Sequence, residues 1–154
     1  KKLKKINLYN HKDYSEKFVC DSNWPGLRSG NFAETKPIFW NYITNLLFQN
    51  NLINNGLYNI SAQLHLRLNE DNEKDWIHKD DEYIYSILIY LSDTNLESGT
   101  YLYDENKNVI NDIKFVKNRL IMFSSQYKHK GYGYYGTNID NGRLTLNIFV
   151  KNGT

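Results

Sequence analysis

Three side chains in this sequence could hold one metal ion: His78, Asp80 and His129. His78 and Asp80 flank Lys79, and in extended backbone residues i and i+2 project to the same side. His129 lies far downstream, just past the apolar run Leu120-Ile121-Met122-Phe123. If strands from these two regions pair, all three side chains meet. Two imidazoles and one carboxylate on one face suit ferrous iron and leave adjacent octahedral positions open. A keto acid can chelate through two of them, and O2 can take the third. One carboxylate offsets only part of the Fe(II) charge, so such a site still attracts an anionic cosubstrate. A fourth protein ligand would block a position.

An HxD triplet alone is a weak signal, because a given histidine is more often a surface or hydrogen-bonded residue than a ligand. The other polar candidates carry less. His65 shares a strand face with Gln63 and Arg67, a face that lines a cavity or simply stays structural. Asp81 adjoins Asp80 but points the opposite way in extended backbone. His11 and the acidic pairs Glu70-Asp71 and Asp104-Glu105 read as surface. There is no Gly-rich phosphate loop, no paired-cysteine zinc pattern and no defensible Ser/His/Asp order.

The elements that must position the triad are mostly strands. Residues 59–68 alternate, with Ile60, Ala62, Leu64, Leu66 and Leu68 on one side and Ser61, Gln63, His65 and Arg67 on the other. Residues 83–91 read as a strong strand, 92–99 as a turn, and 100–103 as a short strand. Residues 109–116, 119–123 and 143–150 complete the set. In the last of these, Arg143, Thr145 and Asn147 share one face and Leu144, Leu146 and Ile148 the other. Residues 131–142, rich in Gly and Tyr, read as a connection. It either borders the substrate opening or packs its tyrosines on the barrel. Many short strands between turns predict a sandwich or barrel.

Ahead of the β region, Asn23-Trp24-Pro25-Gly26-Leu27-Arg28-Ser29 reads as a loop turning at Pro25-Gly26. A helix follows, with Thr35 as its N-cap and Pro37 in its first turn. Ile38, Phe39, Tyr42, Ile43, Leu46 and Leu47 form one apolar face, and Asn54-Asn55-Gly56 ends the helical region. The 154 residues thus read as one domain, with 1–57 as helical and loop support and 58–150 as a β core.

Composition agrees. Thirteen tyrosines favour strands, and a net charge of +2 is too small to argue for nucleic acid. The Lys1-Lys2-Leu3-Lys4-Lys5 start reads as solvated. Cys20 is the single cysteine, so no intrachain disulfide forms, and it reads as a small packed hydrophobe. No apolar run is long enough to span a membrane, and none follows the first lysines as a signal peptide would require. A reducing cytoplasmic setting is expected.

Five segments occur in order: Trp76-Ile77-His78-Lys79-Asp80; Ile87-Leu88-Ile89-Tyr90-Leu91-Ser92; Ser98-Gly99-Thr100-Tyr101-Leu102-Tyr103; Asn118-Arg119-Leu120-Ile121-Met122-Phe123 leading to His129; and Gly142-Arg143-Leu144-Thr145-Leu146-Asn147. This series resembles the prolyl 4-hydroxylase-like branch of the Fe(II)/2-oxoglutarate dioxygenases, especially the small members of bacteria and phages. The resemblance covers residues 76–150 and reaches more weakly back to the Trp24 loop.

It implies a mainly β fold, a double-stranded β-helix or jelly roll, with a bracing helical region. It implies Fe(II) on His78, Asp80 and His129, with 2-oxoglutarate and O2 as cosubstrates and ascorbate as a candidate reductant. By position Arg143 matches the basic residue that takes the far carboxylate of 2-oxoglutarate, for which a guanidinium fork is suited. Tyr90 matches a tyrosine that helps hold that carboxylate, its competing role being a core aromatic. Thr145, on the face of Arg143, joins them as a cosubstrate-binding candidate. Ser98 stands where many relatives carry a second glycine, and the stretch from His129 to Arg143 is longer than in the hydroxylases. A one-residue slip there would turn Arg143 outward as a surface arginine.

The implied activity is hydroxylation of a side chain in a peptide or protein, or of a small molecule, with no membrane or nucleic-acid partner. The alternatives are a cupin-like metal-binding protein without 2-oxoglutarate chemistry and an inactive jelly-roll binding module.

Overall fold

The structure, a computed structural model, describes residues 6–18, 24–54, 56, 58–72 and 74–153. Residues 1–5, Cys20 and Asn55 lie outside the described residues, and with them the readings made for these positions.

The elements run α1 (His11–Phe18), β1 (Leu27–Arg28), α2 (Phe32–Thr35), α3 (Pro37–Gln49), β2 (Tyr58–Arg67), β3 (Tyr85–Tyr90), β4 (Asn95–Tyr103), β5 (Val109–Phe115), β6 (Leu120–Ser124), β7 (Lys128–Tyr132) and β8 (Arg143–Asn152). The strands form two antiparallel sheets, one ordered β1-β2-β8-β3-β6 and the other β5-β4-β7. The fold is the mainly β jelly roll with a helical brace.

Strand alternation decides what faces what. Ala62, Leu64 and Leu66 of β2 and Leu144, Leu146, Ile148 and Val150 of β8 are buried in one cluster with Phe32, Ile43 and Leu47 of the helices. Their polar neighbours on the same strands therefore face the second sheet. Between the sheets, Tyr90, Leu102, Phe115, Ile121 and Phe123 form a second cluster, in which the Tyr90 and Phe115 rings stack at 4.3 Å. In β2–β8 the register pairs His65 with Thr145 and Arg67 with Arg143, and β8–β3 pairs Thr145 with Tyr90. No slip occurs, and Arg143 is inside, 5% exposed.

Four expectations need correction. Thr35 ends α2 instead of capping α3; Asn31 caps α2 by accepting from the Ala33 N–H, and Lys36 precedes Pro37. The apolar stripe of α3 is rotated: Ile43 and Leu47 are buried with Trp40 and Phe48 against them, while Ile38 and Tyr42 are 88% and 60% exposed. The helix meets the sheet along a narrow i, i+4 line, too thin to cover all six apolar residues. The helix also ends earlier, at Gln49, where Asn51 adopts φ 53. Residues 95–99 belong to β4, whose pairing with β5 shifts register between Asn95 and Gly99.

Candidate metal centre

His78 belongs to neither sheet by its own strand. It joins the edge of β7 through a single antiparallel bridge to His129. The His78 N–H donates to the His129 carbonyl at 3.0 Å, and the His129 N–H donates to the His78 carbonyl at 2.8 Å. Two residues on, the Asp80 N–H donates to the Ser125 carbonyl, at the end of β6 in the other sheet. The triad therefore sits where the edges of the two sheets meet.

One ligand atom from each of His78, Asp80 and His129 lies within 4.8 Å of the others. His129 Nε2 is 3.4 Å from Asp80 Oδ2, and His78 Nε2 is 4.0 Å from Asp80 Oδ1. Each imidazole Nδ1 faces a carbonyl two residues back: Trp76 at 3.0 Å for His78 and Tyr127 at 3.1 Å for His129. A carbonyl only accepts, so each Nδ1 carries the proton and each Nε2 keeps its lone pair toward the shared point. Burial pushes the His129 imidazolium down, which favours the neutral, ligating form, while Asp80 opposes the shift. The Ser86 hydroxyl donates to Asp80 Oδ2 at 2.5 Å and also meets the Ser125 hydroxyl at 2.9 Å. This fixes the carboxylate rotamer. The donor set and its orientation fit a divalent iron ion.

Behind the triad a cavity is lined by Arg28, His65, Arg67, Thr100, Tyr134, Arg143, Thr145 and Asn147, among others. Arg143 Nη2 donates to the Gly99 carbonyl at 3.1 Å and to Thr100 Oγ1 at 3.4 Å. A Cβ on Gly99 would lie 2.4 Å from the Ile113 carbonyl, so only glycine lets β4 approach this closely. Arg143 Nε and Arg67 Nη1 are buried with no hydrogen-bond partner among the described residues. Buried guanidinium nitrogens of this kind are costly unless an anion meets them. The residues present thus fit a carboxylate as well as a metal.

Tyr90 is placed elsewhere. It is fully buried, stacks on Phe115, and its hydroxyl donates to Thr100 Oγ1 at 2.8 Å. It does not line the cavity, but it shares Thr100 with Arg143. Thr145 lines the cavity and bonds Asn147 at 2.7 Å.

The sequence assigns no role to Arg28 or Asp75, and places Arg67 only on the His65 strand face, as a candidate cavity wall. Arg67 was legible as the polar-face neighbour of His65. Arg28 had no comparable signal, because β1 is only two residues long. Asp71, read as surface, is buried and accepts from the Leu68 N–H at 2.8 Å. In the segment 131–142, Gly131 and Tyr134 reach the cavity, while Tyr132 stacks on Tyr101 at 3.9 Å.

No protein-family model matches the sequence, and no curated protein matches it. Among the solved structures that are similar are two oxygenases. A 2OG-Fe(II) oxygenase family oxidoreductase from Burkholderia pseudomallei matches with TM-score 0.56 and 19% identity over 74% of this chain, which spans 59% of that protein's length. A Pseudomonas putida prolyl-4-hydroxylase matches with TM-score 0.53 and 12% identity, covering 99% of this chain and 96% of the other. The chain thus has the fold of the 2-oxoglutarate/Fe(II) oxygenases, in a form shared with the Pseudomonas prolyl-4-hydroxylase over nearly the whole length of both.

Proposed function

We propose that this chain, as a single domain, is an Fe(II)- and 2-oxoglutarate-dependent oxygenase. The observation that carries the reading is the convergence of His78, Asp80 and His129 within 4.8 Å, with both imidazoles oriented by backbone carbonyls. These three side chains would hold the iron. Bound iron with 2-oxoglutarate and O2 supplies oxidative decarboxylation to succinate and CO2, coupled to hydroxylation of a substrate C–H bond.

The protein's own part is positioning. Ser86 holds the Asp80 carboxylate, and Ser125 holds the Ser86 hydroxyl and the Asp80 backbone N–H. Arg143 receives the far carboxylate of 2-oxoglutarate, with Thr100 and the Gly99 carbonyl fixing its guanidinium and Tyr90 acting on it through Thr100. Thr145 lines the same wall. Ascorbate would serve as reductant, and the substrate is a peptide or protein side chain or a small molecule.

The test is succinate formation from 2-oxoglutarate by the full chain with Fe(II) and O2, against the same chain with Asp80→Ala. Succinate from the wild type alone supports the reading. Iron uptake without any 2-oxoglutarate consumption would instead favour a cupin-like metal protein.

A further inference from the structure

The cavity holds more positive charge than the proposed chemistry uses. Arg28, Arg67 and Arg143 all face it. Asp80 is committed to the metal. Asp75 lies 3.7 Å from Arg67 and accepts the Tyr134 hydroxyl. A 2-oxoglutarate dianion would be spent on the metal and on Arg143. Arg28 is left with no ion pair to a carboxylate among the described residues.

Arg28 is nevertheless built in. Gly26, at φ +85, lets the Pro25-Gly26 turn lie against the Leu66 carbonyl and the Arg67 side chain. That turn feeds β1, where Arg28 pairs with His65. The guanidinium lies 4.1 Å above the Trp24 indole, and its Nε donates to His65 Nε2. Burial, then the charge of Arg67, pulls Arg28 down to about 9, which still leaves it charged at neutral pH.

The polarity of the His65 network follows from that one donor. An Nε–H of arginine cannot accept, so His65 Nε2 must present a lone pair. Burial and the three arginine charges push His65 well below its usual range, so the ring is neutral. Its proton is therefore on Nδ1, which lies 3.1 Å from the Asn147 amide. With that tautomer the Asn147 amide, whose two ends interchange by a flip, turns its oxygen to His65 and its NH2 to Thr145 Oγ1. His65 is thus a neutral positioning residue that occupies one edge of Arg28. The terminal nitrogens of Arg28 remain as a two-pronged donor at the cavity, half-buried and without a hydrogen bond to a described residue.

We propose that Arg28 is a second anion-binding group and that the substrate of this site carries an oxyanion, a carboxylate or a phosphate, seated on it. This rests on the oxygenase reading for the word substrate, though the anion site itself does not. A guanidinium fixed on an indole and a neutral imidazole is preorganised for a planar or tetrahedral oxyanion, and gains more from one than from a neutral amide.

The test uses the full chain loaded with Zn(II), as a redox-inert metal, and saturating 2-oxoglutarate. Acetate and methylphosphonate are titrated separately by calorimetry, with acetamide as the neutral twin. The expected result is Arg28-dependent binding of at least one anion, weakened about tenfold or more by Arg28→Gln, while 2-oxoglutarate affinity changes less than about twofold. The tighter anion identifies the source of the oxyanion. Three results overturn the proposal: neither anion binds, acetamide binds the wild type as well as acetate and methylphosphonate do, or Arg28→Gln weakens 2-oxoglutarate instead of the probes. The acetamide comparison uses wild type only, so it decides even if Arg28→Gln does not fold. A chain that takes up neither Zn(II) nor 2-oxoglutarate contradicts the oxygenase reading, and the Arg28 dependence is then read on the metal-free chain.

Discussion

His78 and His129 exchange both of their backbone hydrogen bonds, N–H to carbonyl at 3.0 and 2.8 Å, and this one bridge brings two distant imidazoles to ring centroids 4.4 Å apart. The pairing is made by main chain, so it does not depend on the side chains it aligns. Replacing His78 by Ala should therefore abolish tight iron binding and leave the melting temperature within a few degrees. Calorimetric metal titration beside thermal unfolding checks this; retained metal affinity would mean His78 is not a ligand.

Ser86 donates to the carboxylate that would bind iron. Partners of this kind typically contribute about 10- to 100-fold in metal affinity or activity. Ser86→Ala should weaken Fe(II) binding by about that range with the fold intact. Asp80→Ala should lose at least as much. An unchanged dissociation constant for Ser86→Ala would show that the backbone bond from Asp80 to the Ser125 carbonyl is enough to place the carboxylate.

Arg143 is buried and its Nε lacks a partner. A hydrogen bond to a charged group contributes about 1.5–3 kcal/mol, so Arg143→Ala should raise the 2-oxoglutarate concentration required by roughly 10- to 200-fold. Fe(II) affinity should persist, since Arg143 is not among the three converging side chains. Tyr90→Phe removes the bond to Thr100 and the long one to the Ile113 carbonyl, both away from the cavity, and should cost about fivefold or less in the same assay. Equal losses for the two variants would place Tyr90 on the cosubstrate directly.

Gly26 carries φ +85, and a Cβ there would meet the Leu66 carbonyl at 2.4 Å. Gly26→Ala should cost about 1–3 kcal/mol, because a non-glycine residue in this region is strained. For a chain of this size that lowers the melting temperature by about 2–4 °C per kcal/mol. An unchanged melting temperature would mean the turn relaxes without loss.

The sequence made the polar wall legible because strand alternation is a local property. The order Arg143-Leu144-Thr145-Leu146 already sorts cavity from core, and Ser61 to Arg67 does the same on the neighbouring strand. What alternation cannot show is which strand edge another segment will join. The strand Lys128–Tyr132 was read partly as connection, since Lys128-His129-Lys130-Gly131 lacks apolar alternation; it forms because its backbone pairs with β4 on one side and bridges His78 on the other. Arg28 was invisible for a related reason. Its place in the cavity comes from a two-residue pairing with β2, not from any pattern of its own. The apolar face of α3 was legible as periodicity, but its rotation onto the sheet is set by contact with Phe32 and the β2–β8 surface, which no helical period encodes.

One iron ion and one 2-oxoglutarate are expected to share the site of His78, Asp80, His129 and Arg143. Anaerobic titration of the chain with Fe(II) and then 2-oxoglutarate tests it most directly, through the weak visible charge-transfer band of the iron–keto acid chelate. The expected result is a band that saturates at one equivalent of each, vanishes in Asp80→Ala, and in Arg143→Ala needs more 2-oxoglutarate to reach the same height. Iron binding with no band at any 2-oxoglutarate concentration, or a band of wild-type strength in Asp80→Ala, would contradict it.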